Sequence, residues 1–306
     1  MRLDKVLRKV LKNAPKSFIY KMLRKKNITL NHEKAYGSEI TVFGDTIRMF
    51  FSDETYNKMR GEAPDVADLK PGFPEIPILY EDNDVLIFVK PAGILSQKAE
   101  GKDFSVNEWV LYHARERGIT SNSEFETFKP SVCNRLDRNT SGIMAAGLSL
   151  RGLKTLSRIF RERELEKYYY ALVAGRVEES RYEEGYLIKN EKTNQVRILK
   201  EQIPGSHLIK TSYTPVKWYD HKATLLKVHL ITGRSHQIRA HLRSLGHPII
   251  GDPKYGDPRI NVDFGVFNQC LHAYYLKFPE CDLPGISGKE FETEVPKDWP
   301  HGIHEG

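Results

Sequence analysis

The stretch that decides how this chain is read is Asn134-Arg135-Leu136-Asp137-Arg138-Asn139-Thr140-Ser141-Gly142, which runs directly into the apolar Ile143-Met144-Ala145-Ala146. One carboxylate stands between two arginines, and small hydroxyl residues and a glycine follow at once. That composition suits a tight turn presenting a side chain at the mouth of a strand, with the apolar run anchoring the turn in the interior. An Asp beside Arg is also what an ordinary surface ion pair in a turn looks like, so this stretch by itself leaves both readings open.

Two later stretches bear on the choice. Lys167-Tyr168-Tyr169-Tyr170-Ala171-Leu172-Val173-Ala174-Gly175 reads as a strand rich in aromatics. Ile231-Thr232-Gly233-Arg234-Ser235-His236-Gln237-Ile238-Arg239-Ala240-His241 leaves a strand, turns at Gly233 and enters a helix, with Ser235 as the expected cap. Together, and in this order, the three stretches resemble the hallmark motifs of the RluA-like family of RNA pseudouridine synthases. Lys90-Pro91-Ala92-Gly93 is similar to the stretch that opens that family's catalytic domain.

Composition sets the outer bounds. At 306 residues the chain has room for one large domain and a small one. No apolar run approaches the roughly 18 residues of a membrane span, and the basic N-terminus lacks the apolar core of a signal peptide, so a cytoplasmic protein with no membrane partner is expected. The cysteines Cys133, Cys270 and Cys281 are odd in number and form no C-x-x-C pair, which argues against a disulfide framework. His236 and His241 are five apart and do not share a helix face as an i, i+4 zinc pair would, so no metal is expected; that no cofactor is needed is what the resemblance implies, since pseudouridine formation requires no energy source and no redox cofactor.

Charge is concentrated at one end. Residues 1 to 34 carry eleven Lys or Arg against Asp4 and Glu33, while the whole chain has a net charge of only +7. A basic head on a near-neutral body implies a polyanionic partner, although a solvated charged face would have the same composition. Leu3, Val6, Leu7, Val10 and Leu11 predict an amphipathic helix from 2 to about 13, and Phe18, Ile19, Met22 and Leu23 a second one beginning at Pro15. A short strand, Ile28 to Asn31, follows. Two small helices followed by short strands resemble the S-four-type RNA-binding module, a small α/β unit named for a ribosomal protein.

From residue 54 to 77 glycines and prolines break both periods, and 61–77 is read as a linker between a head, 1–60, and a catalytic domain, 78–306. Beyond it, Ile78 to Tyr80 and Val85 to Val89 predict a hairpin. Ser105-Val106-Asn107-Glu108 predicts a capping box for a helix reaching Arg117, and Ser149 predicts a cap for another. Strand-like runs recur near 168–174, 186–189, 195–200, 211–219 and 224–231. So few helices separate them that a mixed or antiparallel sheet, and hence an α+β fold, is expected.

The resemblance implies an RNA partner, most naturally large-subunit ribosomal RNA, with no obligate protein partner. It puts Asp137 in the role of nucleophile, with Arg234 as the natural guanidinium to grip it. Tyr169 would stack on the uracil, Ile238 would support it from beneath, and Arg135 would fill the gap left by a flipped-out uridine. The plainer readings are core for Tyr169 and Ile238 and an ion pair for Arg135. Asn134 and Asn139 depart from the family pattern, where His and Asp are common. Two rival functions are a non-catalytic RNA-binding factor on the same scaffold and a nucleoside hydrolase. The hydrolase usually needs a carboxylate pair or a metal, and neither pattern is present.

Overall fold

The computed structural model describes residues 1–42, 44–60, 73–98, 104–119, 128–190, 193–219 and 222–300. The chain divides into two compact units, 1–71 with 120–129, and 72–119 with 130–306.

In the smaller unit, α1 (Leu3–Val10) and α2 (Lys16–Arg24) precede β1 (Ile28–Leu30), β2 (Glu33–Lys34) and β3 (Ile47–Met49), and α3 (Asp53–Arg60) closes it. The strands form an antiparallel sheet ordered β2-β1-β3. The amphipathic stripes behave as their spacing predicts: Leu3, Leu7, Leu11, Ile19 and Leu23 are buried in one cluster with Ile28, while every Lys and Arg from Arg2 to Lys34 is exposed. Pro15 sits at the N-cap of α2, where its missing N–H costs nothing. α3 falls in a stretch whose sequence shows no apolar stripe. It buries no residue fully, and only Tyr56 and Met59 pack against the cluster.

In the larger unit, β4 (Ile78–Glu81) and β5 (Val85–Lys90) form the expected hairpin. They are followed by α4 (Val106–Glu116), β6 (Ser131–Val132), β7 (Ser141–Gly147), α5 (Leu150–Glu162), β8 (Glu166–Ala174), β9 (Arg181–Asn190), β10 (Gln195–Leu199), β11 (His207–Tyr219), β12 (Ala223–Leu230), α6 (Gln237–Ser244), α7 (Pro258–Asp263), β13 (Leu271–Lys277) and β14 (Glu290–Glu292). The strands make one mixed sheet, β10-β9-β11-β12-β8-β13-β7-β5-β4, with β14 added to β13 and β6 to β7. β13 and β7 run parallel, and the other pairs are antiparallel. The fold is therefore α+β.

β7 explains why the run after Gly142 is apolar without alternation. Met144 and Ala146 face the core that holds α4 and α6, whereas Ile143 and Ala145 face the core under α5. A strand covered on both sides buries every side chain. Complete burial of a side chain such as Ile143 or Met144 stabilises the fold by about 1.5–3 kcal/mol. The caps of α4 and α5 are where the sequence places them: the Ser105 N–H donates to Glu108 at 3.2 Å, and the Ser149 hydroxyl accepts from the Gly152 N–H at 3.0 Å. Of the stretch read as linker, residues 61–72 lie outside the described ones; Ile76 is buried in the core of the larger unit and Phe73 packs against it.

Candidate active site

Asp137 sits on the loop between β6 and β7, and that loop is fixed at each step by groups the sequence places far away. Leu136 is tied twice to Ser96, its N–H donating to Oγ at 2.9 Å while Oγ donates back to its carbonyl at 2.8 Å. The Arg138 carbonyl accepts from the Gly93 N–H and from Lys90 Nζ, both at 2.9 Å. Lys90 also donates to the carbonyls of Pro91 and Ile94, at 2.8 Å each. Burial, only partly offset by the Asp137 charge, pushes the Lys90 amine down to about 7, while its carbonyl acceptors match the three N–H groups of the ammonium form. Asn134 extends the strand pairing with its side chain, Oδ1 accepting from the Ala145 N–H at 2.9 Å. Gly142 has φ +125°, and a Cβ there would collide with the backbone of Ala273, so no other residue fits where β7 meets β13.

The guanidinium that grips Asp137 is that of Arg239, not Arg234. Arg239 Nη1 donates to Asp137 Oδ2 at 2.6 Å, and its Nε and Nη2 donate to Asp252 Oδ2 and Oδ1 at 2.7 and 2.9 Å. Burial opposes the charge on Arg239, but the two carboxylates outweigh it and hold its proton more tightly than in an ordinary arginine. Arg234 lies on the exposed rim of the same cavity, and the structure shows no contact between it and Asp137. The reason is the helix start. Ser235 is exposed and does not cap; His236 occupies the N-cap in the left-handed region, φ 54° and ψ 17°, so α6 begins at Gln237 and carries Arg239 inward. The turn before α6 is secured by the Gln237 amide, whose oxygen accepts from Thr232 Oγ1 at 2.9 Å and from the Arg234 N–H at 3.1 Å.

The cavity in front of Asp137 has a volume of about 700 Å³, within the ~300–1,000 Å³ typical of small-molecule sites. Tyr169, Ile238, Arg135 and Arg234 all line it. Tyr169 is buried on β8, and burial, reinforced by the Asp137 charge, raises its phenol so that it is neutral at physiological pH. Ile238 is buried in the wall, and Arg135 is exposed at the rim. Among the described residues no cluster of His, Cys, Asp or Glu could hold a metal ion, and no helix is long and apolar enough to cross a membrane.

The sequence reading missed Asp252, Lys90 and His236 as parts of this site. The signal for Asp252 is an acid closing the apolar run Pro248-Ile249-Ile250-Gly251, where an unpaired carboxylate would be costly.

A buried arginine holds one oxygen of Asp137 at the wall of a cavity of about 700 Å³ in a unit built on a mixed sheet. The pattern of the RNA pseudouridylate synthase family matches residues 84–244, and the chain belongs to that family of RNA-modifying isomerases. It is 32% identical over 299 residues to ribosomal large subunit pseudouridine synthase C of Vibrio cholerae, covering 96% of this chain and 89% of that protein. The Escherichia coli protein of the same name is 30% identical over 311 residues, with 97% and 89% covered. Among solved structures, human RNA pseudouridylate synthase domain-containing protein 1 superposes with a TM-score of 0.57 at 23% identity, over 74% of this chain and 86% of that one, a likeness of fold.

Proposed function

We propose that this enzyme isomerises uridine to pseudouridine in large-subunit ribosomal RNA, with Asp137 as the nucleophile acting on a uridine flipped out of its stack. The observation that carries this is the Arg239 clamp. It grips one oxygen of Asp137, Oδ2, at 2.6 Å and makes no bond to the other, so a charged carboxylate stays oriented at the cavity wall. The reaction breaks the N1–C1′ bond and forms C5–C1′; N1 gains a proton and the hydrogen at C5 is lost to solvent. Nothing is oxidised or reduced, so no cofactor is called for.

Tyr169 packs on the uracil and Ile238 supports it from the α6 side. Arg135, planar and exposed at the rim, fills the vacated place in the RNA stack. The basic faces of α1 and α2 supply contacts to phosphates. The ribosomal substrate is supported by the names of the relatives above, which align over nearly the whole chain.

The test uses ribosomal RNA tritiated at carbon 5 of uracil. The wild-type enzyme releases tritium without freeing uracil, whereas a hydrolase would free the base and a pure RNA binder would do neither. Asp137→Asn abolishes release and keeps RNA affinity within a few-fold. Turnover by that variant above ~1% of wild type removes Asp137 from the role, because loss of a covalent nucleophile costs several powers of ten.

A further inference from the structure

The geometry points to His236 as a catalytic hydrogen-bond donor: a neutral imidazole whose Nε2–H is held facing the cavity beside Asp137, to be accepted by an oxygen of the reacting nucleotide. This rests on the reading of Asp137 as the reacting centre.

The Tyr255 hydroxyl is the partner that bears on the tautomer of His236. The Tyr255 hydroxyl accepts the Val196 N–H at 2.9 Å and lies 2.9 Å from His236 Nδ1. With the Val196 N–H occupying one acceptor site of the phenol, donation of the phenol proton to Nδ1 is the arrangement that leaves the ring proton on Nε2, and it is the tautomer the proposed role requires. Tyr255 is buried, so water is not an equal competitor for that proton. Nε2 is 3.9 Å from Asp137 Oδ2, too long for a hydrogen bond, and no acceptor for it is found among the described residues. Only 12% of the His236 side chain is exposed, so the donor is neither satisfied by protein nor freely solvated.

The backbone adds an independent observation. His236 holds φ 54° and ψ 17°, a left-handed conformation uncommon for residues other than glycine, in which histidine is one of the more frequent types. Such strain persists where the surroundings over-determine it, and it clusters at functional sites. Burial keeps the imidazole neutral. The nearby charges divide, Asp137 and Asp252 favouring protonation and Arg239 and Lys254 opposing it.

A neutral donor suits this place better than a charged one. An imidazolium would pair with Asp137 and blunt it, whereas a neutral N–H leaves the carboxylate to Arg239. When uracil departs from C1′, negative charge accumulates on its carbonyl oxygens. A fixed donor that meets one of them is worth more in the transition state than in the ground state, so its loss falls on kcat rather than on binding.

The full-length enzyme, assayed by tritium release from ribosomal RNA, gives the test. His236→Leu lowers kcat by ~10²-fold, the effect of removing one preorganised donor, with KM and RNA affinity within a few-fold. His236→Gln, which can carry an N–H to nearly the same point, stays within ~10-fold of wild type. Nitrogen-15 NMR of the wild-type ring shows the proton on Nε2, and Tyr255→Phe loosens that preference. Three results overturn the assignment: His236→Leu with wild-type kcat, equal losses in the Leu and Gln variants, or a wild-type ring protonated on Nδ1. An active His236→Leu beside an inactive Asp137→Asn discards this donor and keeps the nucleophile, whereas an active Asp137→Asn discards the site itself.

Discussion

Replacing Asp252 by asparagine changes one atom's chemistry at the point on which the position of the Asp137 carboxylate depends. The Asp252 side chain is fully buried, and it accepts the Arg239 Nε–H and Nη2–H at 2.7 and 2.9 Å and the N–H groups of Lys254 and Tyr255 at 2.8 and 3.0 Å. All four partners are donors. An amide in the same place turns its NH2 either toward Arg239 Nε–H or toward Arg239 Nη2–H and the two backbone N–H groups, and each choice sets donor against donor. Breaking a buried ion pair by removing one charge costs about 3–5 kcal/mol. At about 2–4 °C per kcal/mol for a domain of this size, the melting temperature at pH 7 falls by roughly 6–20 °C. Arg239, left with Asp137 as its single carboxylate, shifts toward it, and a displacement of about 1 Å in a reacting group costs on the order of 10²-fold in kcat.

The pH dependence has a definite sign. Burial alone would raise the Asp252 carboxyl, but the Arg239 hydrogen bonds and charge, with the backbone N–H groups, hold it below its ordinary 3.8. A depressed folded-state pKa contributes stability that is complete above the unfolded value of about 4 and disappears as the pH falls through the folded one. The gap in melting temperature between wild type and Asp252→Asn is therefore widest near neutrality and narrows below about pH 4. Calorimetry of both proteins from pH 3 to 7, with tritium release at pH 7, checks this. A variant that melts within about 2 °C of wild type at pH 7 and keeps its kcat refutes the clamp argument.

Arg239→Lys keeps the charge but cannot hold two carboxylates in one plane, so kcat falls by ~10²–10³-fold with RNA affinity within a few-fold; Arg234→Lys, at the exposed rim, stays within ~10-fold, and the reverse order would restore Arg234 as the partner. Gly142→Ala forces a Cβ into the Ala273 backbone at φ +125°, and thermal denaturation should show a loss of about 3 kcal/mol or more, with a normal melting curve as the contrary result. Replacing Lys5, Arg8, Lys9 and Lys12 together by Gln flattens the slope of log affinity against log salt by up to ~3–4 units, at ~0.7–0.9 for each phosphate no longer neutralised, without changing kcat on a saturating stem-loop. Identical slopes would show that the basic head is a solvated face.

The residues expected to surround the uridine show how far the motifs reach. Asp137, Tyr169, Ile238, Arg135 and Arg234 do line one cavity, because each sits in a local pattern whose backbone course is set within a few residues: a turn before a buried strand, an alternating strand, a helix following a glycine turn. The α+β class was legible for the same reason. Strand after strand carried its own period, with few helices between. The missed helix α3 lacks an apolar stripe, and Phe73 and Ile76 lie among the prolines that made 61–77 look like linker.

Which arginine reaches Asp137 was decided only in three dimensions. Arg234 and Arg239 share one motif and have the same side chain, and nothing local distinguishes them. The choice turns on His236 adopting a left-handed conformation, which starts α6 one residue beyond the expected N-terminus and aims Arg239 at Asp252, 13 residues further on, and at Asp137, 102 residues back. The depth of Lys90 has the same origin. It is set by a partner distant in the chain, the Arg138 carbonyl. Sequence patterns record the faces of helices and strands because those repeat every few residues. A buried polar group is instead defined by whichever donors and acceptors the completed fold brings within about 3 Å of it, and that information exists only once the fold has closed.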